Sequence, residues 1–482
     1  MLLPLLFLLA APVSPGPNDL DREVKRFLDV LQAARSHAAD PIQEENAIYD
    51  GALPAMLRTL DPHSVFFDPA QFEQLQHMEQ SEQKGFGTVV SVLPGRVIIL
   101  QALPGTPSAR AGLAPGDEIL AVNNVALARL EFDQIIQFLG QARQHEADLI
   151  VRRPGNVRLL TFTLKPQLMD SPSVEHAFLV TPTIGYIRVA SFDPKTGAEI
   201  QKAIDSLGGN KLHGLVLDLR NNPGGVVEAA LQTASLFLKP GQRILSVRGR
   251  HGQDKNVDVP NFATPYSFPL AVLVNEKTAS AAEIVTGALQ DHDRAVVIGL
   301  PTYGKGLVQS VYPLTGGTAM ALTTAFYYTP SGRSIQHPLN DTQLQLSKSA
   351  PEYKTDSGRT VHGGGGIQPD IITEPPIPSR LHQVLEVSGV IPSFAIDYVD
   401  RHKPGPTFQV TPDVLDEFEV YASARGIQPS VAEWQSESDW LSSRLNEEIQ
   451  TQIGGVQKGD EVAVRRDPVV RTALDQLAKS AR

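Results

Sequence analysis

The sequence predicts an α/β core of mixed sheet and helices, with a small domain inserted before it and helical segments at both ends. Short apolar runs alternate with helical patterns between residues 184 and 299, which is typical of α/β folds. Apolar residues recur at helical spacing within residues 19–77 and again after residue 375. A chain of 482 residues is also too long for one core, so several units are expected.

The first segment is an apolar run, residues 1–11, which is shorter than the ~20 residues of a membrane-spanning helix. Such a run suits the apolar centre of a signal peptide, although no basic residue precedes it. We therefore expect residues 1–18 to direct export from the cytoplasm of a bacterium, with cleavage between residues 11 and 18. The mature protein is then periplasmic or in the cell envelope, without a membrane span, and residues 19–77 form its N-terminal helical region.

The inserted domain is expected at residues 78–167. A strand at Val97–Leu100 is followed by paired turn signals around a second strand, from Pro107 to Asn123. A helix with one apolar face comes next, marked by Phe132, Ile135, Ile136 and Leu139. This pattern resembles a PDZ domain.

A glycine-containing loop precedes those strands. Its residues, Gly85, Phe86, Gly87 and Thr88, resemble the loop with which PDZ domains hold the C-terminal carboxylate of a peptide on backbone N–H groups. The alternative is a plain hairpin turn. The four residues are the candidate peptide-binding site.

Core strands are predicted at residues 184–192, 213–219, 270–274 and 295–299. The second strand runs into a turn with Gly224 and Gly225, and a helical pattern follows. Two glycines at a strand-to-helix turn can expose backbone N–H donors, which is the geometry of an oxyanion hole, although an ordinary turn has the same pattern. Asp218 and Arg220, just before the glycines, are expected to organise the turn and not to react.

The most informative segment follows the third strand. Ser280 opens a predicted helix, so the backbone N–H groups after it point towards any negative charge that develops there. Lys305 lies 25 positions later (305 − 280 = 25), between two glycines, and Gln309 follows four positions after it. In an extended segment residues 305, 307 and 309 share one face, so Lys305 and Gln309 can approach the same site.

These residue types fit nucleophilic catalysis. A Ser hydroxyl reacts when a neighbouring base removes its proton, and an amine does so if its pKa is lowered from about 10.4 to about 7–8. A desolvated pocket can supply that difference, about 4 kcal/mol. Ser280 and Lys305 therefore predict a Ser/Lys hydrolase, the alternative being a helix-capping Ser and a surface Lys. A β-lactamase-like Ser-x-x-Lys arrangement fails, since Glu283 stands at that position.

Together these motifs resemble the C-terminal processing peptidases, or tail-specific proteases, a family of PDZ-containing serine proteases. The resemblance covers about two-thirds of the chain, from residue 60 to residue 370. Its blocks, in the family's order, are Leu60–Ser64, residues 85–165, Ile184–Phe192, the turn Asp218–Gly225, and the segment from Ser280 to Asp370. One departure is that Lys277 and Thr278 stand where family members often carry Gly and Ser, which removes no catalytic group.

The resemblance implies roles for single residues. Ser280 would be the nucleophile, Lys305 the general base and Gln309 the group that holds the Lys. The oxyanion would be met by the N–H of Ala281 and by a second N–H, from Gly224 or Gly225. The chain would then be a serine endopeptidase that recognises free C-termini of exported protein or peptide substrates, with a protease core at residues 168–374. The alternative is a non-catalytic PDZ scaffold on a protease fold.

Composition limits the remaining partners. The net charge of −11 argues against nucleic-acid binding. The chain has no Cys, and its 12 His form no HExxH-type helix, so no metal and no cofactor is expected. Residues 375–482 form a predicted helical extension without a known motif, which is expected to pack on the core or to join subunits. A homo-oligomer or an adaptor protein is the expected partner.

Overall fold

The structure is a computed structural model that describes residues 17–79, 82–93, 95–170, 172–249, 254–337 and 351–480. The predicted signal peptide lies almost wholly outside these residues. The described residues up to Phe72 form one compact unit with Ser310–Thr323, and Glu73–Gln309 with the rest of the described chain forms a second. Within the described ranges no helix combines the length and the apolar character needed to span a membrane.

The first unit is mainly helical, as the sequence predicts. Its strand Val65–Phe67 pairs antiparallel with residues 319–321. The turn before this strand is held by Asp61, whose carboxylate accepts hydrogen bonds from the N–H groups of His63 at 2.8 Å and Ser64 at 2.9 Å. The helices of the N-terminal region are Pro17–His37, Glu44–Asn46, the π-helical Ala47–Ala52, Leu53–Arg58 and Pro69–Glu79, and a 3-10 turn lies at Thr315–Gly317.

A small β domain occupies the region predicted as PDZ. Its ends lie together, because strand Glu82–Gly85 pairs antiparallel with Gln167–Asp170. Its sheet strands are Thr88–Leu93, Arg96–Ala102, Glu118–Val122, Val125–Ala126, Ala147–Arg152 and Leu160–Leu164, and its helices are Pro107–Ala111, the 3-10 turn Leu127–Arg129 and Phe132–Ala142.

The predicted apolar face of the last of these helices is only partly buried. Ile135 is fully buried in the domain core, whereas Phe132 and Ile136 are 43% and 51% exposed. Apolar periodicity therefore does not mark the buried face alone in this helix.

The central sheet carries the predicted core strands. In order across the sheet, the described strands are Val174–Thr181, Ile184–Val189, Gly214–Asp218, Leu270–Val274, Ala295–Gly299 and Ile371–Ile372. The first pair is antiparallel and the others are parallel, so the sheet is mixed as predicted.

Helices cover both faces of this sheet. In Leu270–Val274, Val272 and Val274 pack towards the helices Thr196–Ser206, Val227–Ser235 and Ala281–Asp291, because side chains alternate between the two faces of a strand. Ala271 and Leu273 face the other way and contact the last helix, Pro468–Ser480. The C-terminal end of the chain therefore packs on the core, one of the two roles expected for the helical extension.

The other described strands of the second unit include Arg243–Gly249, which pairs antiparallel with Lys255–Asp258 and with residues 325–328. The strands Leu307–Pro313 and Ala319–Tyr328 each have residues in both units. Further strands of the second unit are Glu352–Lys354 and Thr360–His362, and a 3-10 turn lies at Gly209–Lys211. The extension supplies the helices Arg380–Ser388, Val390–His402, Pro412–Ser423, Val431–Gly454 and Val456–Arg466, ahead of Pro468–Ser480.

Candidate active site

Ser280 lies in a strained turn at the C-terminal end of a buried strand. The chain leaves strand Leu270–Val274, passes through a short loop and enters the helix Ala281–Asp291. Ser280 has φ 54° and ψ −117°, a conformation that L-residues rarely adopt and that costs about 1–3 kcal/mol. Ordinary N-cap residues have extended φ and ψ, so Ser280 is not an ordinary helix cap. A strained strand-to-helix turn of this kind presents a nucleophile above a sheet in other hydrolases.

Glu283 joins the backbone around Ser280 to the backbone around Lys305. One of its carboxylate oxygens accepts hydrogen bonds from the N–H groups of Ser280 at 2.8 Å and Lys305 at 2.9 Å. Its other oxygen accepts from the Thr302 hydroxyl at 2.5 Å and the Gly304 N–H at 2.7 Å. The side chain is fully buried, and burial raises the pKa of Glu283 above its usual range while the four donors act in the opposite direction.

The sequence interpretation gave Glu283 no role. One signal for it exists in the sequence: a Glu three residues after a Ser at a helix start is the capping-box pattern. That pattern accounts for the bond from the Ser280 N–H. The bonds from residues 302–305 depend on the tertiary fold, which the pattern does not predict.

Tyr327 makes a second link between the same two backbone positions. Its hydroxyl donates to the carbonyl oxygen of Lys305 at 2.7 Å and, less closely, to that of Ser280 at 3.1 Å. The ring is buried, and burial together with the charge of Glu283 raises the pKa of Tyr327 well above its usual value. The phenol therefore stays protonated and remains a donor.

Lys305 and Gln309 approach each other as the extended geometry predicts. The Lys305 ammonium donates to the Gln309 side-chain oxygen at 2.8 Å. The glycines on either side of Lys305 are closely packed: a Cβ at Gly304 would lie 2.0 Å from His337, and one at Gly306 would lie 2.9 Å from the backbone N of Gln336. Only glycine lets neighbouring chain segments come this close to the Lys305 backbone.

The glycine turn lies directly against the Ser280 turn. A Cβ at Gly224 would lie 2.7 Å from the Cβ of Ser280 and 2.8 Å from the backbone N of Ala281. The N–H of Gly224 donates to the side-chain oxygen of Asn222 at 2.8 Å. Among the described residues, the N–H groups of Ala281 and Gly225 donate to no protein acceptor, so these two remain available to a ligand.

Side-chain and backbone hydrogen bonds hold the two turns together. The Thr278 hydroxyl donates to the Leu219 carbonyl oxygen at 2.8 Å, and the Ala279 N–H donates to the Asn222 carbonyl oxygen at 2.9 Å. Asp218 is fully buried and binds the Arg220 guanidinium, with contacts as short as 2.6 Å. Asp218 and Arg220 therefore organise the turn, as expected from the sequence.

The predicted peptide-binding loop keeps some of its backbone donors available. Gly87 has φ 73°, and a Cβ there would lie 2.3 Å from Thr106, so the position requires glycine. The carbonyl oxygen of Phe86 accepts from the Ser108 N–H at 3.0 Å, which fixes the loop. Within the described residues the N–H groups of Phe86 and Gly87 make no hydrogen bond. Gly85 lies in a strand paired with Gln167, and Thr88 begins the next strand.

The arrangement can support acyl transfer. It combines a hydroxyl in a strained turn at a helix N-terminus, an amine on a segment joined to that turn through Glu283, and two available N–H donors, one at the start of the helix and one in the neighbouring glycine turn. Among the residues that the structure describes, no cluster of three or more His, Asp or Glu side chains could hold a metal ion.

Comparisons with known proteins identify relatives. The model of peptidase family S41 matches residues 183–344, and a PDZ domain model matches residues 98–153. The carboxy-terminal-processing protease of Bartonella bacilliformis is 32% identical over 368 residues, covering 74% of this chain and 77% of that protein. The carboxy-terminal processing protease CtpA of Bacillus subtilis is 30% identical over 326 residues, covering 67% and 69%. A solved photosystem II D1 C-terminal processing protease is 25% identical with a TM-score of 0.40, covering 73% of this chain and 93% of that one.

Proposed function

This chain belongs to peptidase family S41, with the carboxy-terminal processing proteases, and we propose that it cleaves exported proteins with a Ser280/Lys305 dyad after its PDZ domain has bound the substrate's C-terminus. Family membership makes the chain a serine peptidase that contains a PDZ domain. The dyad, the recognition of C-termini and export are the proposal.

One observation carries the assignment of the dyad. A single buried oxygen of Glu283 binds the N–H of Ser280 and the N–H of Lys305, so the two residues start from backbone positions that are fixed together. Catalysis by a nucleophile and a base requires that their geometry be held before the substrate arrives. A helix-capping Ser and a surface Lys would need no such link.

The proposed reaction proceeds through an acyl-enzyme. The neutral amine of Lys305, oriented by Gln309, takes the proton of the Ser280 hydroxyl as the oxygen attacks the scissile carbonyl carbon. The N–H groups of Ala281 and Gly225 stabilise the resulting oxyanion, and we prefer Gly225 to Gly224 because the Gly224 N–H is already bound to Asn222.

The C–N bond then breaks, and protonated Lys305 gives its proton to the leaving amine. In the second half of the reaction Lys305 takes a proton from water, and the hydroxide oxygen attacks the acyl carbon. Ser280 is released with its proton restored by Lys305. Both halves use the same base, which therefore has to return to its neutral form in each cycle.

Substrate recognition is proposed at the loop Gly85–Thr88. The available N–H groups of Phe86 and Gly87 suit a C-terminal carboxylate, and strand Thr88–Leu93 can pair with the extended peptide that precedes it. Exposed Phe132 and Ile136 offer apolar surface on the helix of the same domain, which favours peptides that end in small or apolar residues.

The dyad is tested with single and double substitutions. Ser280→Ala and Lys305→Ala should each abolish cleavage of a disordered substrate, and the double variant should lose no more, because residues that act as a unit are not additive. Lys305→Arg should also fail, since a guanidinium does not release its proton. Lys277→Ala is the matched control, because it removes an exposed Lys beside the site and should keep full activity. Robust turnover by the Lys305→Arg form would remove Lys305 from the role of base.

The pH dependence tests the base independently. Activity should rise with pH with an apparent pKa well below about 10.4, and chelators should have no effect. Activity that is lost in EDTA and restored by zinc would contradict the Ser/Lys mechanism.

Carboxylate capture is tested with matched substrates that end in a free acid or an amide. Loss of one hydrogen bond to a charged carboxylate costs about 1.5–3 kcal/mol. The substrate with the free acid should therefore be cleaved roughly tenfold faster than the amide, or more. Equal cleavage by the intact enzyme would rule out capture.

Removal of the PDZ domain distinguishes a tether from an inhibitory gate. Gly85 and Gln167 are paired residues, so an Asn-Gly hairpin turn can replace residues 86–166 with little strain. A tether predicts weaker cutting of acid-ended substrates, whereas a gate predicts unselective cutting of any unfolded chain. A deletion variant that still prefers acid-ended substrates would contradict recognition by the PDZ domain. Cleavage by that variant that is lost on Ser280→Ala would still support the dyad. Binding of acid-ended peptides without cleavage by the full chain would instead favour the non-catalytic scaffold.

A further inference from the structure

The main chain from Gly304 to Gly306 has a hydrogen-bond partner for each of its six polar groups. The N–H groups of Gly304 and Lys305 donate to Glu283 at 2.7 and 2.9 Å. The carbonyl oxygen of Lys305 accepts from the Tyr327 hydroxyl at 2.7 Å, and that of Gly306 accepts from the Tyr327 N–H at 2.9 Å. Two groups remain, the carbonyl oxygen before Lys305 and the N–H after it.

One neighbouring chain segment supplies the partners of these last two groups. The His337 N–H donates to the Gly304 carbonyl oxygen at 2.9 Å, and the Gln336 side-chain oxygen accepts from the Gly306 N–H at 2.8 Å. The Gln336 side-chain nitrogen donates to the His337 carbonyl oxygen at 2.8 Å. The amide of Gln336 therefore joins the residue after Lys305 to the chain that holds the residue before it.

We propose that Gln336 is a positioning residue for the base. Its amide fixes the main chain of Lys305, and thereby the place of the amine when the Ser280 hydroxyl gives up its proton. The inference rests on the proposed function, in which Lys305 is that base.

The segment around Lys305 depends on side chains because it precedes a strand. Strands satisfy their N–H and C=O groups on neighbouring strands, and Leu307–Pro313 begins two residues after Lys305. Side chains make four of the six bonds, and the two glycines leave the backbone free to move if a bond is lost. Gly306 is buried, so removal of the Gln336 oxygen leaves its N–H without an acceptor.

A positioning role and a purely structural role of this amide predict different results. A structural bond changes how much of the protein is folded, but not the chemistry of the folded protein. A positioning bond changes the geometry of proton transfer, and it also changes the pH at which Lys305 becomes neutral. A loosened Lys305 is better solvated, and solvation of the ammonium moves its pKa towards the ordinary Lys value of about 10.4.

The test is the rate at which a fluorophosphonate labels Ser280, measured across pH on protein shown to be folded by circular dichroism. Gln336→Met keeps the approximate shape of the side chain and removes both amide bonds. Its labelling rate should reach a plateau about tenfold or more below that of the wild type, with an apparent pKa higher by about one unit or more.

A conservative variant separates the two bonds of the amide. Gln336→Glu keeps an acceptor for the Gly306 N–H, and it should recover most of the plateau rate. The plateau is the right quantity for this comparison, because there the base is already neutral and the charge of the new carboxylate no longer affects its protonation.

Gln242→Met is the matched control. The Gln242 side-chain oxygen also accepts a backbone N–H, from Lys239 at 2.7 Å. Gln242 precedes Arg243, whose carbonyl oxygen contacts His292 at the far end of the helix that follows Ser280. This variant can lower the urea midpoint, but it should leave the plateau rate and the apparent pKa of labelling unchanged.

Three results would overturn the proposal. They are a Gln336→Met enzyme with the wild-type plateau and apparent pKa, one with a lower urea midpoint but an unchanged pH profile, and a Gln336→Glu enzyme as slow as the Met variant. Lys305→Ala separates this inference from the proposed function. Labelling that persists in Lys305→Ala would refute the base itself. Labelling that is lost in Lys305→Ala but unaffected by Gln336→Met would refute only the role of Gln336.

Discussion

Replacement of Glu283 by Gln should disable the candidate active site without changing either member of the proposed dyad. The carboxylate accepts four hydrogen bonds, two on each oxygen, and three of them come from backbone N–H groups. Gln keeps the shape of the side chain but has one acceptor oxygen and an NH2 group that can only donate. Two of the four donors therefore lose their acceptor.

The cost can be estimated from the orientation that Gln should prefer. Its oxygen would keep the N–H groups of Ser280 and Lys305, and its NH2 group would face Thr302 and Gly304. The Thr302 hydroxyl already accepts the Ile367 N–H at 2.7 Å and can turn to accept the amide. The Gly304 N–H is then left buried without an acceptor, which costs about 1–3 kcal/mol, and two bonds to a charged acceptor become weaker neutral ones at about 1 kcal/mol each. Release of the buried charge offsets part of this, so a net loss of about 2–4 kcal/mol is expected.

Two measurements check this estimate. The urea midpoint of the Gln variant should fall, and the rate at which a fluorophosphonate labels Ser280 should drop about a hundredfold, since a shift of ~1 Å at a reacting group has that effect. Glu276→Gln is the matched control: it removes the same charge from an exposed side chain four residues before Ser280 and should change neither quantity. A Glu283→Gln enzyme with the wild-type midpoint and labelling rate would refute the inference that this carboxylate fixes the site.

Three further outcomes are expected. Ser280→Gly should be at least as stable in urea as Ser280→Ala, because φ 54° at this position strains Ala but not Gly. A Gly variant less stable than the Ala variant would contradict the inference that the Ser280 turn is strained. Gly224→Ala should lower both the free energy of unfolding and the labelling rate, since the Cβ of the new Ala would lie 2.7 Å from the Ala279 carbonyl oxygen. Wild-type values of both quantities would show that the glycine turn can move away from the Ser280 turn. Burial raises the pKa of Glu447 to about 7, so the folded protein binds the proton of this carboxyl group more tightly than the unfolded chain does. The contribution of Glu447 to the free energy of unfolding is therefore lost as pH rises from about 4.5 through 7. Glu447→Gln should therefore show a smaller fall in unfolding free energy between about pH 5 and pH 8, and an unchanged pH slope would exclude Glu447 as its source.

The sequence predicted the α/β core, the inserted PDZ domain and the helical segments at both ends because each has a local pattern. The apolar strand Leu270–Val274 and the glycine turn after Asp218 are local features of this kind. The helix Phe132–Ala142 was predicted as a helix, yet two of its apolar residues are exposed. Periodicity shows which residues share a face, but the neighbouring elements decide how much of that face is covered.

The sequence predicted candidate reactive side chains, but not the residues that hold the backbone around them. Lys305 and Gln309 are four residues apart, so their contact follows from local geometry. The roles of Glu283 and Tyr327 depend on bonds to residues about 20 to 50 positions away, which no local pattern encodes. The proposed preference for Gly225 over Gly224 as an oxyanion donor depends on the side chain of Asn222, which accepts the hydrogen bond of the Gly224 N–H.

These contacts separate the groups proposed to react from the groups that hold the backbone. Glu283 accepts hydrogen bonds from the backbone N–H groups of Ser280 and Lys305, and the Tyr327 hydroxyl donates to the carbonyl oxygens of the same two residues. The turn conformation of Ser280 is costly for any residue with a Cβ, so bonds to its main chain, and not its side chain, must keep it in place. Removal of the hydroxyl should therefore leave the turn intact, while removal of the Glu283 carboxylate should release it. The side chains proposed to react are therefore not the side chains that hold the backbone, so a Ser280→Ala protein is a suitable folded reference for the activity measurements.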